Sequence, residues 1–79
     1  MMSQIDSVGR VQRITAIWEA ELGVPVTAED DFFDLGGDSL LALAVARQAA
    51  AEGMPMQPGA VLRHPTVAAL ADAVRTGTA

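Results

Sequence analysis

A long stretch that cannot be helical separates two segments with helical periodicity, and this interruption constrains the fold more than any other feature. The first segment has an apolar residue at every third or fourth position, which is typical of one face of an amphipathic helix. Its members are Val8, Val11, Ile14, Trp18 and Leu22. Gly23 can adopt a left-handed cap and Pro25 cannot continue a helix, so the pattern predicts a first helix over about residues 7–22.

The interruption runs from Gly23 to Asp38 and is predicted to be a long ordered loop. Such a connection is uncommon in a compact domain unless it is anchored or functional. Phe32, Phe33 and Leu35 are its candidate anchors, because three adjacent large apolar groups gain from burial. We expect them to plug a helical bundle.

The second helix is predicted to begin at Asp38 or Ser39, both good N-cap residues, and to run to about Glu52, before Gly53. Apolar residues cover all sides of its first two turns, which indicates either full burial or a docking surface. Leu40 and Leu43 are the candidates for docking. The predicted core face consists of Leu41, Ala44, Val45 and Gln48.

Two further elements follow a connector in which Met54 and Met56 are expected to fill gaps in the core. Residues 60–62 are predicted to form a short turn of helix. Thr66 is expected to cap a last helix, and the tail from Thr76 is expected to fray. The apolar face of the last helix consists of Val67, Leu70, Ala71 and Val74.

Composition supports an all-α single domain, with residues 1–79 as one unit and a core over about residues 7–75. Ten acidic and five basic residues give a net charge of −5, so binding to nucleic acid or to an anionic membrane is not expected. The chain has no cysteine, which excludes disulfides, thiol nucleophiles and cysteine-ligated zinc. A metal site is not predicted.

The longest apolar run, Leu40 to Ala46, is too short to span a bilayer. Residues 1–6 lack the basic start and apolar centre of a secretory signal, so a cytoplasmic location is expected. One histidine in a chain of this size is also a poor basis for a closed active site, and we expect no enzymatic activity.

Five of the ten acidic residues lie between Glu29 and Asp38. No register of this segment matches an EF-hand calcium loop. Ser39 follows two glycines, but the flanking strand of a serine hydrolase is absent, and His64 stands beside a proline at a predicted helix start. Neither a calcium loop nor a hydrolase is therefore predicted.

Two interpretations of Ser39 remain open on the residues alone. It could be an ordinary N-cap, or an exposed hydroxyl that another protein modifies. Gly36 and Gly37 would permit an unusual backbone path and the close approach of a partner. A phosphate on Ser39 would lie against the free N–H groups of the helix start, whereas Asp38 would oppose it and is better explained as a handle for a modifying enzyme or its metal.

Residues 30–43, which read DDFFDLGGDSLLAL, closely resemble the phosphopantetheine attachment signature of carrier proteins. More narrowly, the chain resembles the thiolation, or peptidyl carrier, domains of nonribosomal peptide synthetases. The Ile17-Trp18 pair and the segment from His64 to Val67 extend the resemblance over nearly the whole chain. The resemblance implies a right-handed four-helix bundle of acyl carrier type, with a long loop between helices 1 and 2 and a short third helix.

The resemblance also implies the chemistry of Ser39. A phosphopantetheinyl transferase would move 4′-phosphopantetheine from coenzyme A onto the Ser39 hydroxyl, with Gly37 and Asp38 as part of the recognised motif. The new thiol would carry an aminoacyl, aryl or peptidyl thioester. An adenylating enzyme would load it, and condensing, tailoring or thioesterase enzymes would use it.

Three alternatives stay distinct at this point. The second helix is not acidic, unlike that of fatty acid carriers, which favours the peptide-type subgroup. A polyketide-type acyl carrier and an unmodified helical interaction module are the other two. We expect a monomer, and the sequence does not identify the cargo.

Overall fold

The computed structural model describes residues 7–79, and residues 1–6, which carry the prediction about a secretory signal, lie outside the described part. Four helices follow one another: α1 Ser7–Leu22, α2 Ser39–Ala51, α3 Ala60–Arg63 and α4 Val67–Thr76. α1 packs against both α2 and α4, and α2 packs against α3. Within residues 7–79 the β-type pairing is one isolated bridge between Asp31 and Thr66. The predicted all-α bundle, with its long first loop and short third helix, is confirmed.

The apolar stripe of α1 forms one wall of the core. Ile14 and Trp18 are fully buried, Ile17 joins them, and Val11 and Leu22 pack against the same cluster. Val8 is 65% exposed, so its assignment to the buried stripe is wrong. It lies in the first turn of α1, which begins at Ser7.

The core face of α2 differs from the predicted one. Val45 is buried and Leu41 packs against the core, but Gln48 is exposed and donates to the Glu52 carboxylate at 3.1 Å. The buried residues of α2 are Ala42, Val45, Ala46 and Ala49. This face is mostly alanine, and small side chains allow a helix to lie close to its neighbours.

The long loop is held to the rest of the molecule by backbone hydrogen bonds at several points. The Phe32 N–H donates to the Pro65 carbonyl at 2.7 Å, and the Ala68 N–H donates to the Ala28 carbonyl at 3.0 Å. Phe32 is fully buried and Leu35 packs against the core, as predicted. Phe33 is 38% exposed, so the prediction that it plugs the bundle is wrong.

The second half of the chain closes the core. Met54 is buried and Met56 packs against the core, which confirms their predicted role. The Thr66 hydroxyl caps α4 by accepting from the Ala69 N–H at 3.1 Å. At the other end, α4 continues to Thr76 and the Thr78 N–H donates to the Ala73 carbonyl at 2.8 Å, while fraying of the tail stays a prediction. None of the helices in residues 7–79 has the length and apolar character needed to cross a membrane.

Candidate functional site

Two glycines with different structural duties lead into α2. Gly36 has a φ of 98°, a left-handed conformation that other residues rarely adopt. Gly37 is constrained by space: a Cβ there would overlap the Phe32 ring and lie 2.8 Å from the Phe32 carbonyl oxygen. The unusual backbone path predicted from the glycine pair is present. The group that approaches Gly37 closely is the chain's own phenylalanine.

Asp38 is the N-cap of α2. Its backbone is extended, with φ −142° and ψ −177°, and its carboxylate Oδ1 accepts from the Leu41 N–H at 2.8 Å. The interpretation of Ser39 as the cap is therefore wrong. The carboxylate of Asp38 has a structural role in this chain, whatever role it has toward a partner enzyme.

Ser39 is the first residue of α2, and its side chain is exposed. Within residues 7–79, its hydroxyl has no hydrogen-bond partner, and neither do the N–H groups of Ser39 and Leu40. The first N–H groups of a helix have no partner inside the helix, and they attract anions. A hydroxyl that carries a phosphodiester fits this position, because two free N–H groups lie beside it.

The apolar side chains around this helix start are unevenly exposed. Leu40, next to Ser39, is 75% exposed, while Leu43 is half-buried. Leu62 on α3 is 51% exposed and was not singled out from the sequence. The sequence carried no signal for this, because Ala60, Val61 and Leu62 are three consecutive apolar residues, and the fold decides that the first two are buried.

The acidic residues of the loop organise the loop itself. The Asp31 carboxylate accepts from the N–H groups of Phe33 and Asp34 at 2.8 and 3.3 Å, and the Asp30 carboxylate accepts from the Thr27 N–H at 2.8 Å. Among the described residues no cluster of acids and histidine could hold a metal ion. His64 follows α3 as its C-cap residue, and its N–H donates to the Ala60 carbonyl.

A family profile for the phosphopantetheine attachment site matches residues 12–74, which is most of the chain. The chain belongs to this family. Phosphopantetheine is thus its cofactor, as predicted. Carrier domains of this kind are generally non-catalytic.

Two curated synthetases illustrate the relationship. Chondramide synthase cmdD from Chondromyces crocatus is 42% identical over 64 residues, and these cover 80% of this chain but 2% of the synthase. A component of the linear gramicidin synthase of Brevibacillus parabrevis is 35% identical over 69 residues, covering 86% of this chain and 1% of that component. The carrier domain therefore spans a small part of the curated relatives it matches.

Solved structures of carriers agree with the fold. BlmI, a type-II acyl carrier protein from Streptomyces verticillus involved in bleomycin biosynthesis, is 28% identical with a TM-score of 0.80, over 92% of this chain and 90% of that one. A nonribosomal PCP domain is 34% identical with a TM-score of 0.75, over 91% and 92% of the two chains. The predicted resemblance to peptidyl carrier domains is confirmed.

The N-cap assignment makes a testable prediction about Asp38. Replacement of Asp38 by Ala removes the acceptor of the Leu41 N–H, and we expect the free energy of unfolding to fall by about 1 kcal/mol. Asp38→Asn keeps an acceptor oxygen, so its free energy of unfolding should fall by at most about 0.3 kcal/mol. Urea denaturation of the two variants measures the difference.

Asp34→Ala, at an exposed loop residue whose carboxylate accepts no described hydrogen bond, is the matched control. A loss as large for Asp34 as for Asp38 would contradict the assignment.

Proposed function

We propose that this domain is a peptidyl carrier that holds 4′-phosphopantetheine on Ser39 and presents aminoacyl, aryl or peptidyl thioesters to the enzymes of nonribosomal peptide synthesis. The observation that supports this most is the exposed hydroxyl of Ser39, the first residue of α2, which makes no hydrogen bond within residues 7–79. The similarity to gramicidin and chondramide synthases supports the nonribosomal class.

Loading of the site is a transfer of phosphopantetheine from coenzyme A. The Ser39 oxygen attacks the phosphorus that bears the pantetheine, and a new oxygen–phosphorus bond forms. The bond between that phosphorus and the bridging oxygen of the pyrophosphate breaks, and adenosine 3′,5′-bisphosphate leaves. The hydroxyl proton passes to a base of the transferase, which also holds the magnesium ion.

The residues of the chain then hold and expose the product. The N–H groups of Ser39 and Leu40 are placed to donate to the phosphodiester, and the Asp38 carboxylate already accepts from the Leu41 N–H. When bound, the group supplies the thiol that a chain without cysteine lacks. The domain itself binds and presents; it performs no catalysis, and tethering raises the concentration of the acyl group at each partner.

The proposed partners are a phosphopantetheinyl transferase, an adenylating enzyme, and condensing, tailoring or thioesterase enzymes. A monomeric state and a cytoplasmic location stay predictions. Residues 1–79 are proposed to form a single carrier domain, with its core at about residues 7–75.

A second candidate function is a polyketide-type carrier. A component of the phenolphthiocerol/phthiocerol polyketide synthase of Mycobacterium tuberculosis is 48% identical over 59 residues, covering 73% of this chain and 4% of that component. Loading separates the two classes. An amino or aryl acid transferred by an adenylating enzyme supports the peptidyl carrier, and an acyl group accepted from acyl-coenzyme A by an acyltransferase supports the polyketide carrier.

The experiment that tests the main proposal is an intact-mass measurement after incubation with coenzyme A, magnesium and a broad-specificity transferase. We expect a mass gain equal to one phosphopantetheine, located on Ser39 by peptide mapping. A folded protein that gains no mass, or gains it on another side chain, would favour the unmodified interaction module.

Docking predicts a separate effect for Leu40. A side chain that is 75% exposed contributes little to the core, so Leu40→Glu should keep the thermal midpoint while slowing loading and condensation about tenfold through a charge in an apolar contact. Leu43→Glu should slow them as well, with some loss of stability because Leu43 is half-buried.

Val8→Glu is the matched control for Leu40→Glu, since Val8 is 65% exposed and lies on α1. The control should leave both loading and condensation rates unchanged. Equal loading and condensation rates for Leu40→Glu and the unchanged protein would show that Leu40 is not part of the docking surface.

A further inference from the structure

The ring of Phe32 occupies the space that a side chain on Gly37 would need. A Cβ on Gly37 would overlap the Cδ2 and Cε2 atoms of the ring. The Gly37 N–H also donates to the Phe32 carbonyl at 3.0 Å. Gly37 directly precedes Asp38, the cap of α2, so the ring restricts where the backbone can lie as it enters the helix that begins with Ser39.

Phe32 is itself fixed from the opposite side. Its N–H donates to the Pro65 carbonyl at 2.7 Å, and its neighbour Asp31 pairs with Thr66, the cap of α4. Its ring meets Trp18 edge to face, with centroids 4.8 Å apart and an interplanar angle of 72°. Both rings are fully buried. A ring packed and hydrogen-bonded in this way can fix the position of the loop backbone that contacts it.

We propose that Phe32 is a positioning residue for the modification of Ser39, an inference that rests on the function proposed above. It acts through Gly37: the ring sets the path of the Gly37 backbone, and that path sets the direction in which the Ser39 hydroxyl leaves the helix start. In this role the aromatic ring does more than fill the core. It makes the reactive oxygen available in one orientation to the transferase.

The test is a pair of substitutions whose effects depend on each other. Gly37→Ala should lower kcat/KM for phosphopantetheine transfer by about 10- to 100-fold, because the new methyl group collides with the ring and displaces the helix start. Phe32→Leu alone should also lower kcat/KM, by a smaller factor, because the ring no longer fixes the position of the loop backbone. In the double variant Phe32→Leu makes room for the methyl group, so kcat/KM should rise above that of Gly37→Ala.

The recovery is expected to be partial. The Phe32 carbonyl oxygen would still lie 2.8 Å from the added Cβ, and it is backbone. Gly36→Ala supplies the control for specificity, because its Cβ meets no atom within 4 Å and its penalty comes from a φ of 98°. Phe32→Leu should give no recovery in that background.

A second control separates positioning from stability. Ile14→Val removes a methylene group from a fully buried side chain on α1, in the same core as Phe32 but on a different element. Kinetics are measured at a temperature at which circular dichroism shows every variant to be folded. Ile14→Val should then leave kcat/KM unchanged, while Phe32→Leu lowers it. If Gly37→Ala does not fold, the comparison of Phe32→Leu with Ile14→Val alone tests whether Phe32 is a positioning residue.

The outcomes distinguish this inference from the proposed function. Loss of kcat/KM in both single variants with recovery in the double variant supports Phe32 as a positioning residue. Losses that simply multiply, or a Phe32→Leu variant as active as Ile14→Val, would show that Phe32 only fills the core. In that case the modification of Ser39 in the unchanged protein would still stand. A failure of the unchanged protein to gain phosphopantetheine would instead refute the proposed function.

Discussion

Replacement of Ser39 by Ala should abolish the gain of phosphopantetheine completely. The variant has no hydroxyl at the first position of α2, so a transferase positioned on that helix finds no nucleophile there. The variant should keep its fold, because the cap hydrogen bond at this helix start belongs to Asp38. We expect the free energy of unfolding to change by less than about 0.5 kcal/mol, as is usual for exposed positions. Intact mass and urea denaturation measure the two effects.

Two further serines in the chain provide the matched controls. Ser3→Ala and Ser7→Ala should gain the same mass as the unchanged protein. Persistence of the mass gain in Ser39→Ala would refute the assignment of the attachment site. A collapse of its helical circular dichroism would show that Ser39 stabilises the fold in a way that the hydrogen bonds of α2 do not indicate.

Trp18→Ala should unfold the domain. Trp18 is fully buried at the centre of the core, and truncation of a buried Trp to Ala costs about 3–5 kcal/mol. A domain of 79 residues has a total stability of about 4–12 kcal/mol at the usual free energy per residue, so the loss removes much or all of it. Circular dichroism and urea denaturation at 25 °C measure the outcome.

Trp18→Phe should be far milder than truncation. The indole N–H of Trp18 is buried and has no hydrogen-bond partner among the described residues, and an unsatisfied buried donor costs about 1–3 kcal/mol. Phenylalanine removes that donor while it retains an aromatic ring against Phe32, so the loss of apolar area is partly offset. A Trp18→Phe variant as unstable as Trp18→Ala would show that the whole indole is required. Val8→Ala, at an exposed position of α1, controls for helix propensity.

The helices were predictable because their signals are local. The apolar spacing through Ile14 and Trp18, followed by Gly23 and Pro25, predicts the bounds of α1 that the structure shows. The cap of α4 at Thr66 likewise needs only its neighbours in sequence. These features depend on short-range periodicity and on backbone conformations that few residues allow.

The features that were mispredicted depend on three-dimensional context. Asp38 and Ser39 are equivalent as capping residues, and the extended backbone of Asp38 decides between them. Phe32 and Phe33 are identical side chains at adjacent positions, yet one is buried and the other is 38% exposed, because the loop turns between them. The face of α2 that meets the core depends in the same way on where α1 and α3 lie.

The proposal that Ser39 is the modified residue rests on a different kind of signal. Residues 30–43 resemble the attachment signature of the family through a pattern of residue types, and in the described part of the chain the serine hydroxyl makes no hydrogen bond. The exposure of Leu62 and the contact of Phe32 with Gly37 emerge from the fold alone. A single sequence gives no direct measure of such contacts.

Asp38 and Ser39 have separate roles at the start of α2, and this has a consequence for a carrier that is loaded and unloaded repeatedly. The Asp38 carboxylate caps the helix, and within residues 7–79 the Ser39 hydroxyl makes no hydrogen bond, so gaining or losing the prosthetic arm breaks no hydrogen bond in that described part. The bare and charged forms should therefore share one fold, and the phosphodiester adds only the hydrogen bonds that the Ser39 and Leu40 N–H groups donate to it. An enzyme that must tell one form from the other would then have to sense the arm and its cargo rather than a change in the bundle.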